Sequence, residues 1–165
     1  MSPHRRFRDP RSTPYDFLTS VLVCCPGCAK LAHVGPAPDP AGAHDRGLFA
    51  PRRLVCRNCG TAKEWTGGSV AWHRSPHEPA TDPHFDVRLW LQTETRHGWV
   101  WAYGPEHLGL IRRFVEAPLR EGIPWHDHGR KMTVVARLPA WMKQAKNRDE
   151  VLRAIARIHA SLLRT

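Results

Sequence analysis

No stretch of this chain is apolar for long enough to cross a bilayer. The best candidate, Leu18 to Cys25, is apolar only in part and falls far short of the ~20 residues that a spanning helix needs. The basic segment Met1 to Arg8 is followed by no continuous apolar core of the kind an export signal carries. These absences lead us to expect a cytoplasmic protein with reduced thiols and no membrane partner. Catalytic signatures are also missing: there is no Gly-x-Ser-x-Gly elbow, no Walker loop and no His-Glu-x-x-His pair. The expectation is therefore a protein that is not an enzyme. Acidic residues are in deficit, 15 against 25 Lys and Arg, which leaves a formal charge of +10 on 165 residues. That balance favours an anionic partner: nucleic acid, an acidic protein surface or, least favoured, a membrane face. Abundant Ala, Arg and Pro can also reflect genome composition, so charge alone does not decide the matter.

Cysteine is scarce as well, with five in all, yet four of them form two Cys-x-x-Cys pairs: Cys25-Pro26-Gly27-Cys28 and Cys56-Arg57-Asn58-Cys59. Each pair presents two thiolates from one tight turn, and two such turns meeting in space complete a tetrahedral four-sulfur site, the closed geometry of structural Zn2+. One pair alone would be weak evidence, because redox motifs share the spacing. Disulfides would need an oxidising compartment; buried free thiols are the other ordinary reading. Gly60 suits the left-handed backbone that follows such a knuckle, and within the first loop proline presets one dihedral while glycine relieves the other. The expected ligands are Cys25, Cys28, Cys56 and Cys59. Cys24 could stand in for Cys25, but Cys25 keeps the two-residue spacing. Four sulfurs fill the coordination sphere and leave no position for an activated water.

The chain divides by texture. Residues 1–16 are polar and proline-interrupted, with Arg5, Arg6, Arg8 and Arg11, and read as a flexible basic tail. Residues 17–70 read as a zinc ribbon. Strands are expected at Leu18 to Val23, Lys30 to Val34, Leu54-Val55 and Ala62 to Trp65, with a Pro/Gly/Ala/Asp loop from Gly35 to Arg46. So little chain cannot bury an adequate core, and bound zinc, worth about 10–16 kcal/mol in small peptides, would supply the difference. Residues 71–84 read as a linker. His73 and His77 have a helical metal-binding spacing, but Pro76 and Pro79 deny them the helix, so both are expected on a surface loop. His126-Asp127-His128 is expected as an exposed turn.

Residues 85–165 read as a hairpin with helices. Val87 to Thr93 and Gly98 to Tyr103 alternate as paired strands joined by Glu94 to His97. Trp99, Trp101 and Tyr103 then share a face, which could stack bases or form the apolar bed for the next helix; the bed is the expectation. That helix opens at Pro105 and carries Leu108, Ile111, Phe114 and Val115 on one side. A short helix is expected at Ala140 to Lys146, then a capping box of Asn147 with Glu150. The final helix has a stripe of Val151, Ile155, Ile158 and Leu162, with Arg153, Arg157 and Arg164 opposite. Those arginines, with Lys143, Lys146 and Arg148, are the candidate nucleic-acid contacts; the ordinary reading is a solvated helix face. A helix-turn-helix would want a glycine at the joint, and none is there. The fold class expected is α+β: an N-terminal zinc ribbon with a small antiparallel sheet, followed by a β-hairpin covered by C-terminal helices.

Several segments together resemble the bacterial TFIIB-type zinc-ribbon-containing proteins over nearly the whole chain. They are Tyr15-Asp16-Phe17-Leu18-Thr19, both knuckles, Leu89-Trp90-Leu91, Trp101-Ala102-Tyr103 with Glu106-His107-Leu108, and Arg137 to Lys143 with Ala145 to Arg148. The resemblance implies a metal-binding module with Cys25, Cys28, Cys56 and Cys59 as ligands, and no established activity. Members of the family often carry cysteine in the hairpin turn before the Trp-Ala-Tyr segment. Thr95, Arg96 and His97 stand there in this chain, so a second metal site is not implied. Zinc ribbons in transcription factors commonly dock on proteins. Two functions follow: a nucleic-acid-associated accessory protein or, alternatively, an adaptor docking on RNA polymerase or another multiprotein complex.

Overall fold

The computed structural model describes residues 6–40, 47–120 and 133–165. In chain order the elements are β1 (Arg6–Phe7), β2 (Val21–Cys24), β3 (Leu31–Pro36), β4 (Arg52–Val55), β5 (Ala62–Trp65), β6 (Leu91–Thr95), β7 (Gly98–Ala102), α1 (Pro105–Glu116), β8 (Leu119–Arg120), α2 (Ala140–Lys143) and α3 (Arg148–Leu162). Strands β2 to β5 form one antiparallel sheet in sequential order, β6 and β7 form a hairpin, and β1 pairs in parallel with β8. The architecture is α+β. No helix among the described residues is long and apolar enough to cross a membrane.

Register explains why the first sheet forms. Val21, Val34 and Leu54 lie side by side across β2, β3 and β4, and the row ends at Lys63 on β5. The apolar members are buried, while Ala62, Lys63 and Glu64 on the edge strand are exposed. Charges there deter the edge from recruiting another chain. A second row, Val23 beside Ala32, is buried too, because a later segment of the chain covers the sheet.

That cover comes from residues 71–84, expected as a linker. Ala80 and Asp82 are buried, and Ala80 sits in one apolar cluster with Val21, Val34, Leu54 and Leu89. The segment is held by Leu89 N–H to Ala80 O (2.9 Å), by Gln92 bonded to both Ala80 N and Ala80 O, and by Trp99 N–H to Pro76 O (3.0 Å). At its contact with the hairpin turn stands Gly98, φ +136°, where a Cβ would lie 2.5 Å from Pro76 O. Only glycine fits that approach.

The tail is also folded in where it is described. Phe7 meets Phe114 edge-to-face at 5.3 Å, Thr133 Oγ1 donates to Asp9 Oδ2 (2.8 Å), and Val134 N–H donates to Ser12 O. The expected flexible tail is thus corrected for residues 6–16: Phe7 gives this arginine-rich segment an anchor in the helical core. Arg5 and His126-Asp127-His128 lie outside the described residues.

The strand expected from Val87 to Thr93 splits in two. Arg88 to Trp90 runs along the free edge of β2, with Cys24 N–H to Arg88 O (2.8 Å) and Trp90 N–H to Leu22 O (2.9 Å), and only Leu91–Thr95 pairs with β7. Leu22 N–H also donates to Tyr103 O at 2.8 Å. Strand β2 therefore carries the sheet on one side and the hairpin unit on the other.

The apolar bed for the helices is the opposite face of β7 from the one expected. Val100 and Ala102 are buried with Leu108, Ile111 and Val115 of α1 and with Val151 and Ile155 of α3. Trp99 and Trp101 are only half-buried on the other face. Small and β-branched side chains let the helices lie closer than indoles would. The short helix stops at Lys143, and the expected capping box at Asn147 is absent. The Asn147 amide is buried and donates instead to Trp141 O (2.9 Å), a carbonyl at the end of α2 that the Gln144 N–H meets only at 3.4 Å.

His107 on α1 lies flat between Phe17 (4.8 Å) and Tyr103 (5.4 Å), and its Nδ1 accepts the Tyr103 N–H at 3.1 Å. Burial, with 3% of the residue exposed, holds its pKa down to about 4. The unfolded imidazole takes its proton near pH 6.5, so stability is complete above that pH and is lost as pH falls toward 4, by about 3 kcal/mol in all. Urea midpoints of wild type and His107→Gln measured across this range will show the wild type losing more. Taking the difference removes acid effects common to both.

Candidate metal centre and basic surface

The two knuckles are near-copies of each other. In the first, Ala29 N–H donates to Cys25 O and Cys25 N–H to Lys30 O; in the second, Gly60 N–H donates to Cys56 O and Cys56 N–H to Thr61 O. Gly60 adopts φ +76°, as its sequence position led us to expect, and its counterpart is Ala29 at φ +60°. An alanine there costs about 1 kcal/mol relative to glycine. Gly27 does not supply a left-handed turn. Its role is spatial: a Cβ would fall 2.7 Å from Thr61 Oγ1 and within 3.7 Å of two of the sulfurs. It is the gap through which the second knuckle closes on the first.

Cys25, Cys28, Cys56 and Cys59 come together, their four sulfurs lying within 4.8 Å of one another. Cys25 Sγ is 3.6 Å from Cys59 Sγ, and Cys28 Sγ is 3.6 Å from Cys56 Sγ. Disulfide sulfurs would be ~2.05 Å apart, and all five cysteines are free. Sulfurs held at about 2.3 Å from a tetrahedral ion are separated by about 3.8 Å. The spacing therefore fits a shared metal ion and not oxidised pairs. Cys24 is outside the cluster, its thiol facing Leu89 O at 3.8 Å.

The surroundings favour charge on part of the quartet. Burial opposes ionisation of Cys25, but the Cys28 and Gly27 amides, the Cys59 sulfur and the Thr61 hydroxyl overcome it and bring the thiol down to about 6. Thr61 likewise lowers Cys59. Cys56 is pushed up, because burial and the neighbouring Cys25 and Cys28 sulfurs outweigh the hydrogen bonds from its own loop. Four sulfurs so close cannot all be thiolates unless a cation neutralises them. The Asn58 amide and the Gly27 N–H, donating to Cys28 and Cys25 sulfur at 3.5 and 3.3 Å, are further support for bound thiolates.

Comparison with known protein families, curated proteins and solved structures finds no match.

The six basic residues nominated from the sequence part into two groups. Lys143 is half-buried, with Nζ donating to Ala136 O, and desolvation lowers its pKa. Arg148 is also half-buried and reaches Ala117 O at 3.4 Å. Lys143 thus holds a carbonyl of the turn before α2, and Arg148 the carbonyl that follows α1. Lys146, Arg153, Arg157 and Arg164 are exposed. Arg153 and Arg157 line a shallow cleft with Thr95, Arg96 and Glu150, in which Arg96 Nε pairs with Glu150 at 3.0 Å. Arg96 was missed as a member of this face, since only the turn of the hairpin brings it beside α3.

Proposed function

We propose that this chain is a zinc-ribbon protein of the TFIIB-type class that acts as a nucleic-acid-associated accessory protein. Its four-cysteine Zn2+ is structural, and its arginine face meets phosphates. The observation that supports contact is the exposed pair Arg153 and Arg157, one helical turn apart, with Arg96 beside them across the cleft. Neither helix arginine has an ion-pair partner among the described residues, so both guanidinium groups are available to phosphate oxygens. With four sulfurs around the ion, zinc contributes rigidity and no chemistry; we propose no enzymatic role.

Zinc-replete, nuclease-treated protein should bind labelled single-stranded DNA, duplex DNA or RNA with an affinity that falls steeply with salt. The double variant Arg153→Gln with Arg157→Gln should flatten that dependence by about one unit of slope for each lost phosphate contact. Absence of binding at low salt would remove this reading. The alternative, a protein–protein adaptor, is favoured by one feature: Phe49, 68% exposed beside the start of β4. An adaptor contact centred there would survive nuclease and tolerate salt.

A further inference from the structure

Beside the indoles of β7, where α1 and α2 meet that strand, lies a cavity of about 120 Å³, walled by Trp72, Trp99, Trp101 and Tyr103, backed by Ile111 and Met142, and reached by His73, His107 and Arg137. A cavity of about 150 Å³ takes up a benzene ring, so the enclosed part of this one holds about one six-membered ring. That is the size of one flat heterocycle. Trp101 is gripped edge-on by His73 (5.9 Å), Tyr103 (5.1 Å) and His107 (5.8 Å), which sets its orientation. Trp99 makes no ring contact among the described residues, so its indole remains available for stacking.

The polar atoms distinguish this cavity from a greasy void. His73 Nε2 is buried with no hydrogen-bond partner. Because His107 Nδ1 accepts a backbone N–H, the proton of the neutral ring sits on Nε2, a donor for which no hydrogen bond is seen among the described residues. The Tyr103 hydroxyl is likewise unpaired among them. The one of these atoms that is sealed from water, His73 Nε2, calls for a polar partner on a ligand. An aromatic box also suits a quaternary ammonium, but no described carboxylate lines this one, while the Arg137 guanidinium lines it and repels a cation. The occupant is flat, polar at its edges and anionic at one end.

We propose that this cavity binds a single nucleobase, stacked on Trp99 with its attached phosphate on Arg137. The base comes either from a free nucleoside monophosphate or from an unpaired residue of a strand. The proposal does not depend on the arginine face of α3, which contacts phosphates from a separate surface. His73 and the His107 Nε2–H face the edge of the ring, and Trp101 closes its far side.

The test is a titration of zinc-replete protein, followed by tryptophan fluorescence, with each of the four common nucleoside monophosphates. Parallel titrations use a short single strand and the same strand carrying abasic positions. Trp99 and Arg137 are not core residues, so Trp99→Ala and Arg137→Gln should fold, as circular dichroism and metal content will verify. Saturable binding of a monophosphate that weakens about tenfold in Trp99→Ala, with Arg137→Gln erasing the preference over the unphosphorylated nucleoside, supports the proposal with a free nucleotide as ligand. Binding of the intact strand alone, lost in Trp99→Ala and on removal of the bases, supports it with a strand as the source. Absence of saturable binding to both, or binding that Trp99→Ala leaves unchanged, overturns it. Strand binding lost only in the Arg153/Arg157 variant also overturns it, while leaving the phosphate-contacting helix intact as a reading.

Discussion

Stripping the metal with a strong chelator, or replacing Cys56 by serine, is expected to unfold the β2–β5 sheet completely. Metal binding to such a site contributes about 10–16 kcal/mol in small peptides, as much as the ~5–15 kcal/mol that separates most folded domains from their unfolded chains. The sheet has little to set against that loss. Its apolar rows are short, β5 is mostly exposed, and Cys56 itself is fully buried in the cluster that holds Val21, Val34 and Leu54. A serine at that position removes a soft ligand and buries a hydroxyl beside three sulfurs. Far-UV circular dichroism should show loss of strand signal, reversed by zinc in the wild type and not in the variant. Cys24→Ser is the matched control. Its thiol lies outside the quartet, so metal content should remain at one ion and stability should change by less than ~1 kcal/mol. A Cys24→Ser protein that loses its metal would show that the first knuckle uses the other cysteine.

Asp82→Ala should cost about 3 kcal/mol or more, the largest expected effect of a single substitution away from the metal. The Asp82 carboxylate is 1% exposed and accepts three backbone amides, from His84 (3.0 Å), Phe85 (3.0 Å) and Val87 (3.1 Å). Burial pushes its carboxyl up from the usual range while those amides pull against it. Truncation strands all three donors in a turn that water reaches poorly, at about 1–3 kcal/mol for each fully buried one. The turn also carries Asp86 at φ +54°, and Thr81 Oγ1 donates to Asp86 Oδ1. Loss of the staple therefore releases the segment that covers β2 and β3. Urea unfolding of the metal-loaded variant measures the cost, and Asp82→Asn, which keeps an acceptor oxygen for part of the set, should recover some of it.

The cysteine cluster was legible because its signal is local. Two residues between paired thiols define a turn, and two turns define a site, whatever the rest of the chain does. The sequential strands of the first sheet and the long helices followed from pattern in the same way. What escaped was long-range. Residues 71–84 look like a linker because Pro and His interrupt every period, yet Ala80 and Asp82 are buried through contacts with Gln92 and Leu89 that no local pattern encodes. The Asp-Pro dipeptide at Asp82-Pro83 was the one available hint of a side-chain-stapled turn. On β7 the alternation is plain, but both faces of that strand are apolar, and only the helices choose Val100 and Ala102 over the indoles. Lys143 and Arg148 looked like their exposed neighbours because charge says nothing about which free carbonyl lies nearby.

Strand β2 bonds on one edge to β3 and on the other to residues 88–90 and 103, so it belongs to both halves of the protein. During synthesis the halves arrive in order. Once residue 65 has left the ribosome, both knuckles and all four strands of the cysteine-bearing sheet are present, so ion capture does not have to wait for the segments that later cover the sheet. Leu22 and Cys24 then offer unpaired amides along an apolar, accessible edge until the chain has grown past Tyr103. In that interval β2 is an open template, the kind of edge at which nascent chains pair with one another. The early half that the metal holds shut thus carries the risk of misassembly, and the aromatic hairpin that follows is what ends it.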